Sequence, residues 1–253
     1  MKYQKITLVI SVIFLLYSCG PKEEAISVIE EENLELQMID AFNKGHLALE
    51  EGDILFAAKK FNEAELLFPQ SPWAPRSALL ASYAYYSQDY YGDAIFELER
   101  FLKTYPNHQN IDYVHYLLAI CHYETIIDEK KDLGPLLKAK AKFEFIMSEY
   151  PNTDFALDSS FKIGLILDQL AAKEMYIGRH YIKKEKWIPA INRFKTVVEE
   201  YDTTIFVEEA LYRLVEIYYK IGLPSESKKY AKVLGYNYQS SKWYENSYSL
   251  FNK

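Results

Sequence analysis

Three histidines, His108, His115 and His122, recur at intervals of seven residues. Imidazoles are common metal ligands, but seven residues of helix set two side chains roughly 10 Å apart, whereas ligands sharing an ion on one helix sit three or four apart. Asp112 and His115 have that spacing, yet two ligands do not complete a site. Polar helix faces account for these residues better, and no metal or cofactor is expected. The adjacent carboxylates Glu199 and Glu200 invite a glycosidase reading. Neighbours on a helix point about 100° apart and do not flank a common bond, as paired-carboxylate catalysis requires. The chain has no glycine-rich phosphate loop, no Gly-x-Ser-x-Gly and no Cys-x-x-Cys. No catalytic residue is assigned, and an enzyme is not expected.

Binding chemistry is better represented. The chain holds 23 Tyr but only three Trp, and a ring with a polar tip suits both helix interfaces and wet peptide-binding grooves. Tyr83, Tyr85 and Tyr86 are clustered, with core packing and a peptide-stacking surface both open to them. Trp187, Asn192 and Arg193 share a second segment, in which the guanidinium beside an amide could clamp a partner's carboxylate.

These residues belong to a helical repeat. Three helix-like stretches run into an aromatic residue and then proline, at Phe68-Pro69, Tyr105-Pro106 and Tyr150-Pro151. Each proline has an alanine twelve residues upstream, Ala57, Ala94 and Ala139, followed four and seven residues on by apolar residues: Phe61 and Ala64, Leu98 and Phe101, Phe143 and Ile146. That pattern is one helix face and its terminator, since proline cannot supply the next backbone N–H. A fourth unit holds Ala190, Phe194 and Val197, with Tyr201-Asp202 in place of aromatic-proline; a fifth and fainter one holds Ser227, Ala231 and Leu234. Terminal units of a stack are often atypical. The spacing between terminators grows from 37 to 45 to 51 residues. The surplus is assigned to a charged loop at 128–135, punctuated by Gly134-Pro135, and to one long helix from Phe155 to Lys183. The expected fold is all-α, a superhelix of about five tetratricopeptide-like helix pairs spanning residues 34–253, which builds a binding surface and not a catalytic pocket.

The first residues set the compartment. Lys2 and Lys5 precede an apolar run, Ile6 to Tyr17, that is too short to span a bilayer but suits a signal peptide over residues 1–18. The run ends Leu16-Tyr17-Ser18-Cys19, which resembles a bacterial lipobox, so Cys19 is expected to be acylated and to anchor the chain in a membrane. Gly20 lacks the acidic character associated with inner-membrane retention, so the outer membrane is expected. Residues 19–33, acidic and poor in aromatics, read as a flexible tether. With Cys19 acylated, Cys121 is the one thiol left and no internal disulfide can form. The net charge is -7, and losing Lys2 and Lys5 with the leader leaves 27 basic against 36 acidic residues. Nucleic acid is therefore not an expected partner.

Several phrases together resemble one family. Asn110-Ile111-Asp112-Tyr113-Val114-His115-Tyr116 follows Tyr105-Pro106-Asn107-His108, Ile191-Asn192-Arg193 follows Tyr181, and Asn237-Tyr238-Gln239-Ser240 closes the repeats. In this order and spacing they resemble the BamD family, tetratricopeptide lipoproteins of the outer-membrane β-barrel assembly machinery. The resemblance implies a periplasm-facing scaffold that binds the POTRA domains of BamA and helps recruit unfolded outer-membrane proteins. By position it implies that Trp187, Asn192 and Arg193 face BamA, and that Tyr83, Tyr85, Tyr86, Asp112 and Tyr113 line a substrate-facing groove. Where family members often have aromatic-Gly-Ala before the Asn-Arg pair, this chain has Lys184-Glu185-Lys186-Trp187.

Two other readings compete. A different tetratricopeptide lipoprotein, with a division-coordinating or glycan-capture role, would share the anchor and repeats without the Asn-Ile-Asp-Tyr and Asn-Arg phrases. A cell-wall hydrolase would need a further catalytic domain, for which the short stretch after Gln239 is too small.

Overall fold

A computed structural model describes residues 31–125 and 133–251. The leader, Cys19, most of the tether and most of the charged loop lie outside the described residues. Eleven helices are described: α1 (Glu31–Glu51), α2 (Ile54–Leu67), α3 (Trp73–Tyr86), α4 (Tyr91–Thr104), α5 (Ile111–Glu124), α6 (Gly134–Glu149), α7 (Asp154–Lys183), α8 (Trp187–Glu200), α9 (Val207–Lys220), α10 (Pro224–Asn237) and α11 (Lys242–Phe251). They form five antiparallel pairs, α1–α2 to α9–α10, closed by α11. The second helix of each pair also packs on the first helix of the next. First helices touch one another directly at α5–α7 and α9–α11, which makes them the inner row of the curved stack.

The repeat register explains this stacking. Ala57, Phe61 and Ala64 of α2 are fully buried, as are Ala94, Leu98 and Phe101 of α4, Ala139, Phe143 and Ile146 of α6, and Ala190, Phe194 and Val197 of α8. At three- and four-residue spacing they form one stripe, facing the partner helix and the next unit. In the fifth unit Ser227 and Leu234 are buried while Ala231 is only half-buried.

The junction between units depends on proline less than the sequence suggests. All five aromatic residues that follow a second helix adopt nearly the same backbone conformation, from Phe68 (φ -141°, ψ 70°) to Tyr201 (φ -129°, ψ 39°) and Tyr238 (φ -137°, ψ 49°). In each, the aromatic carbonyl accepts the N–H three residues on, from Ser71, His108, Thr153, Thr204 and Ser241, at 3.0–3.2 Å. Proline fills the second position of this turn in the first three units because its fixed φ suits it; Asp202 and Gln239 fill it in the last two. The polar residue at the fourth position starts the next helix: the hydroxyls of Ser71, Thr153 and Ser241 each accept a backbone N–H of its first turn.

Gly134 and Pro135 form the first turn of α6 and do not punctuate a loop; proline is favoured there because its missing N–H would have no partner anyway. The long helix is observed as α7, 30 residues. Its first half packs with α6 through Ile166 and Leu170, and its second half packs with α8 and α9 through Ala171 and Met175.

Candidate binding surfaces

On the inner row, aromatic side chains run from unit to unit. Tyr83 and Tyr86 lie three residues apart on α3, with ring centroids 6.2 Å apart. Tyr86 packs on the same core cluster as Tyr113 of α5, and burial pushes the Tyr113 phenol up to about 12. From α5, Tyr113 and Tyr116 meet Phe155 of α7 at 5.7 and 4.9 Å, the latter pair stacked. The Tyr116 hydroxyl donates to Asp158 at 2.7 Å, and its own ionisation is disfavoured first by burial and then by that bond. Two residues past Phe155, α7 exposes Leu157 and Phe161, 76% and 65% accessible. Four residues apart, they form an apolar strip no other described element covers.

The sequence-predicted groove residues do not all converge. Tyr83 meets Tyr86, and Tyr86 and Tyr113 pack on one core cluster. Tyr85, about 100° around α3 from Tyr86, packs instead toward α2 and α4 and lines a surface depression with Lys59, Asn62, Glu63, Leu66 and Leu67. Asp112 accepts the Tyr113 backbone N–H at 2.8 Å. The sequence reading missed Tyr116 and Phe155, although Tyr113 and Tyr116 have the i, i+3 spacing of a shared helix face. No short-range signal joins Phe155, 39 residues further on, to them.

In the C-terminal half, Arg193 is part of an intramolecular pair. Its Nη1 donates to both carboxylate oxygens of Glu174 on α7, at 3.2 and 3.0 Å. Glu174 is largely covered and Arg193 is 42% exposed at its side chain. The bonds use Nη1, so Nε and Nη2 have no partner among the described residues. Asn192 is exposed, whereas Trp187 packs on the adjoining core beneath the Lys220 ammonium, 4.5 Å from the ring centroid. At about 100° per residue, Asn192 and Arg193 are neighbours and Trp187 lies roughly 120° from Arg193. The three therefore point to different sides of α8 and do not form one cluster. Arg179 of α7 makes a two-bond pair with Glu209 of α9 at 3.0 and 2.5 Å. That pair ties the last two units together, while Arg213 joins Glu209 to Glu216 within α9.

The histidines occupy separate environments. His108 packs edge-on against Phe101, and His115 lies 4.7 Å from the Phe145 ring. His122 is buried, and its imidazole is held below the usual range by burial and then by Lys138 and Lys142. No group of three or more His, Cys, Asp or Glu able to hold a metal occurs among the described residues.

A family model described as YfiO, outer membrane lipoprotein, matches residues 34–234. The outer membrane protein assembly factor BamD of Caulobacter vibrioides is 40% identical over 233 residues, 92% of this chain and 75% of that protein. Its counterpart in Rickettsia prowazekii is 41% identical over 209 residues, 83% of each chain. Among solved structures, a tetratricopeptide repeat protein from Parabacteroides merdae is similar at 14% identity with a TM-score of 0.42, covering 86% of this chain and 75% of that one.

Proposed function

This chain belongs to the YfiO family of outer membrane lipoproteins, and from that premise we propose that it joins a barrel-assembly receptor to its unfolded substrates through two separate surfaces. It is an outer membrane protein assembly factor and acts by binding, without catalysis. Cys19 carries the lipid anchor after removal of residues 1–18, residues 19–33 are the tether, and residues 34–253 face the periplasm. The N-terminal surface is the aromatic row of Tyr83, Tyr86, Tyr113, Tyr116 and Phe155, which engages unfolded outer-membrane proteins. The C-terminal surface around Asn192 and Arg193 engages the POTRA domains of a BamA-like protein.

One observation carries this reading: an aromatic row on three successive inner helices, with Tyr83 and Tyr86 on α3, Tyr113 and Tyr116 on α5 and Phe155 on α7. Rings with polar tips stack on an extended peptide while tolerating sequence variation, as a carrier of many substrates requires. At the other surface, an Arg with two unused donors keeps room for a partner carboxylate.

The test is solubilisation of native membranes in detergent, with a tag at the C-terminus, followed by mass spectrometry of co-purifying proteins. Recovery of a β-barrel protein bearing repeated POTRA domains, and its loss in Arg193→Glu, is the expected result. Recovery only of glycan-handling or division proteins would overturn the reading.

A further inference from the structure

We propose that the edge of the stack formed by its last two helix-pair turns is a docking surface for the anionic bilayer in which the chain is anchored. This rests on the reading of the chain as a lipoprotein held through Cys19. In every antiparallel pair the turn between first and second helix falls on the same edge of the stack, and the charge of that edge changes sign along its length. The first two of these turns, residues 50–56 and 87–93, carry five acidic residues and no Lys or Arg. Those of the last two units, residues 183–186 and 220–229, carry six lysines against Glu185 and Glu226. In a chain of net charge -7, so uneven a distribution gives one end of the edge a positive field of its own.

The two basic turns form one surface. The Lys220 ammonium lies 4.5 Å from the ring centroid of Trp187, and Trp187 and Ile221 pack on the same core cluster. Lys183, Lys184, Lys186 and Lys220 are exposed. None of the four has a carboxylate partner among the described residues, whereas Lys44, Lys60 and Lys140 pair within their own helices. Beside them Ile188, in the first turn of α8, and Leu223, just before α10, are 63% and 45% exposed. Lysines around a partly covered Trp and two protruding aliphatic side chains suit the boundary of a bilayer, where ammonium groups meet phosphates and apolar groups enter among the upper acyl chains.

An acidic protein would also satisfy the lysines, but the bilayer is the anionic surface that the anchor keeps within reach. Eleven residues separate Cys19 from Glu31, at most about 40 Å of chain, against about 30 Å for the whole of α1. The anchor therefore leaves open which edge of the stack faces the membrane. Charge on the edge decides it, drawing the last two units toward anionic headgroups while the first two are repelled. Arg193 lies six residues past Trp187, about 9 Å further along α8, so a protein partner there and the membrane do not compete for the same side chains.

The test uses the full lipidated chain reconstituted in vesicles of phosphatidylcholine, alone or mixed with phosphatidylglycerol. An environment-sensitive dye is attached at Ile188→Cys or, at the acidic end of the edge, at Leu55→Cys; Cys121 is buried and stays unlabelled. Quenching by lipids brominated on their acyl chains reports contact. We expect the dye at 188 to be quenched in phosphatidylglycerol vesicles and released in about 1 M salt, where charges act over roughly 3 Å, and the dye at 55 to stay unquenched throughout. Each lysine near an anionic surface favours binding about fivefold, so Lys183→Gln, Lys184→Gln and Lys186→Gln together should lower the docked-to-free ratio about a hundredfold. Unchanged circular dichroism melting checks the fold of that triple variant. Flotation separates this proposal from the anchor. A chain that floats with both kinds of vesicle is anchored, and the dye then decides. One that floats with anionic vesicles alone, and fails to as the triple variant, has no anchor but keeps the edge; one that floats with neither overturns both. Absent quenching at 188, equal quenching in both kinds of vesicle, or quenching that survives the triple variant overturns the proposal. Loss of the POTRA protein from detergent extracts of the triple variant, with the native chain's dye at 188 unquenched, would reassign the lysines to a protein partner.

Discussion

A Cβ built on Gly178 would stand 2.7 Å from two ring carbons of Phe194. The first unit repeats the relationship, with Gly45 against Phe61 at 2.8 Å and the same sixteen-residue separation. In both, the large apolar residue of the second helix closes against bare backbone of the first. Each phenylalanine is fully buried and has no room to withdraw. Gly178→Ala should therefore destabilise the chain by about 1–3 kcal/mol through overpacking, despite alanine's better helix propensity. Gly164→Ala on the same helix has nothing within 4 Å and should instead stabilise by about 0.5–1 kcal/mol. Urea unfolding midpoints check both, and shifts of the same sign would refute the packing argument.

Glu185 sits in the turn between α7 and α8 at φ 55°, where the corresponding turns of the first and fifth units have Gly52 (φ 82°) and Gly222 (φ 79°). A left-handed backbone costs an L-residue roughly 1–2 kcal/mol, part of which glycine returns as unfolded-chain entropy. Glu185→Gly should raise stability by about 0.5–1 kcal/mol, seen as a higher melting temperature. At Asp89 (φ 64°) the same change should gain less, because the Asp89 carboxylate accepts the Tyr91 hydroxyl at 2.6 Å.

The Arg193–Glu174 pair allows the proposed partner surface to be tested without unfolding the chain. With the Arg193 side chain 42% exposed, solvent screens the pair to a contribution on the order of 1 kcal/mol, so Arg193→Glu and Glu174→Gln should both fold. Arg193→Glu should lose the co-purifying POTRA protein, whereas Glu174→Gln frees the guanidinium and should retain it. Equal loss in both variants would mean that the pair itself, and not a free arginine, shapes the surface.

Cys121 is buried, and burial pushes its thiol up to about 12. The unfolded thiol titrates near 8.5, so between these values the folded state holds a proton that the unfolded state has released. The stability contribution is full below about pH 8.5 and is lost as pH rises through about 12. At pH 8 the native thiol should resist iodoacetamide and react only after denaturation. One adduct on the denatured chain is the expected mass if the Cys19 sulfur is acylated; two adducts would contradict lipidation.

Much of this was legible in the sequence, because a stack of helix pairs writes its core as a local repeat. The stripe from Ala57 to Ala64 recurs at 94–101, 139–146 and 190–197, and its spacing alone gives the buried face. What was read less well depends on the third dimension. Prolines stood out as terminators, yet Tyr201-Asp202 and Tyr238-Gln239 make the same turn, since the aromatic carbonyl and the polar residue three positions later carry its bond. Tyr83, Tyr85 and Tyr86 looked like one cluster, but helical rotation turns Tyr85 toward the other row. Arg193 read as an open clamp, because Glu174 lies 19 residues earlier on a different helix. Phe155 joined the tyrosine row only through tertiary packing.

The core changes neighbours between Leu170 and Ala171 while α7 continues without a break. Units before and after that point therefore have no hinge of their own, and their relative phase is set by the length of one rod. Adding a single residue at this handover would turn the Tyr113–Phe155 surface about 100° relative to Arg193 and shift it 1.5 Å, leaving every contacting residue in the chain but aiming the two surfaces in different directions. Between its two binding surfaces α7 works as a torsional ruler, calibrated by how many residues it contains as well as by which ones.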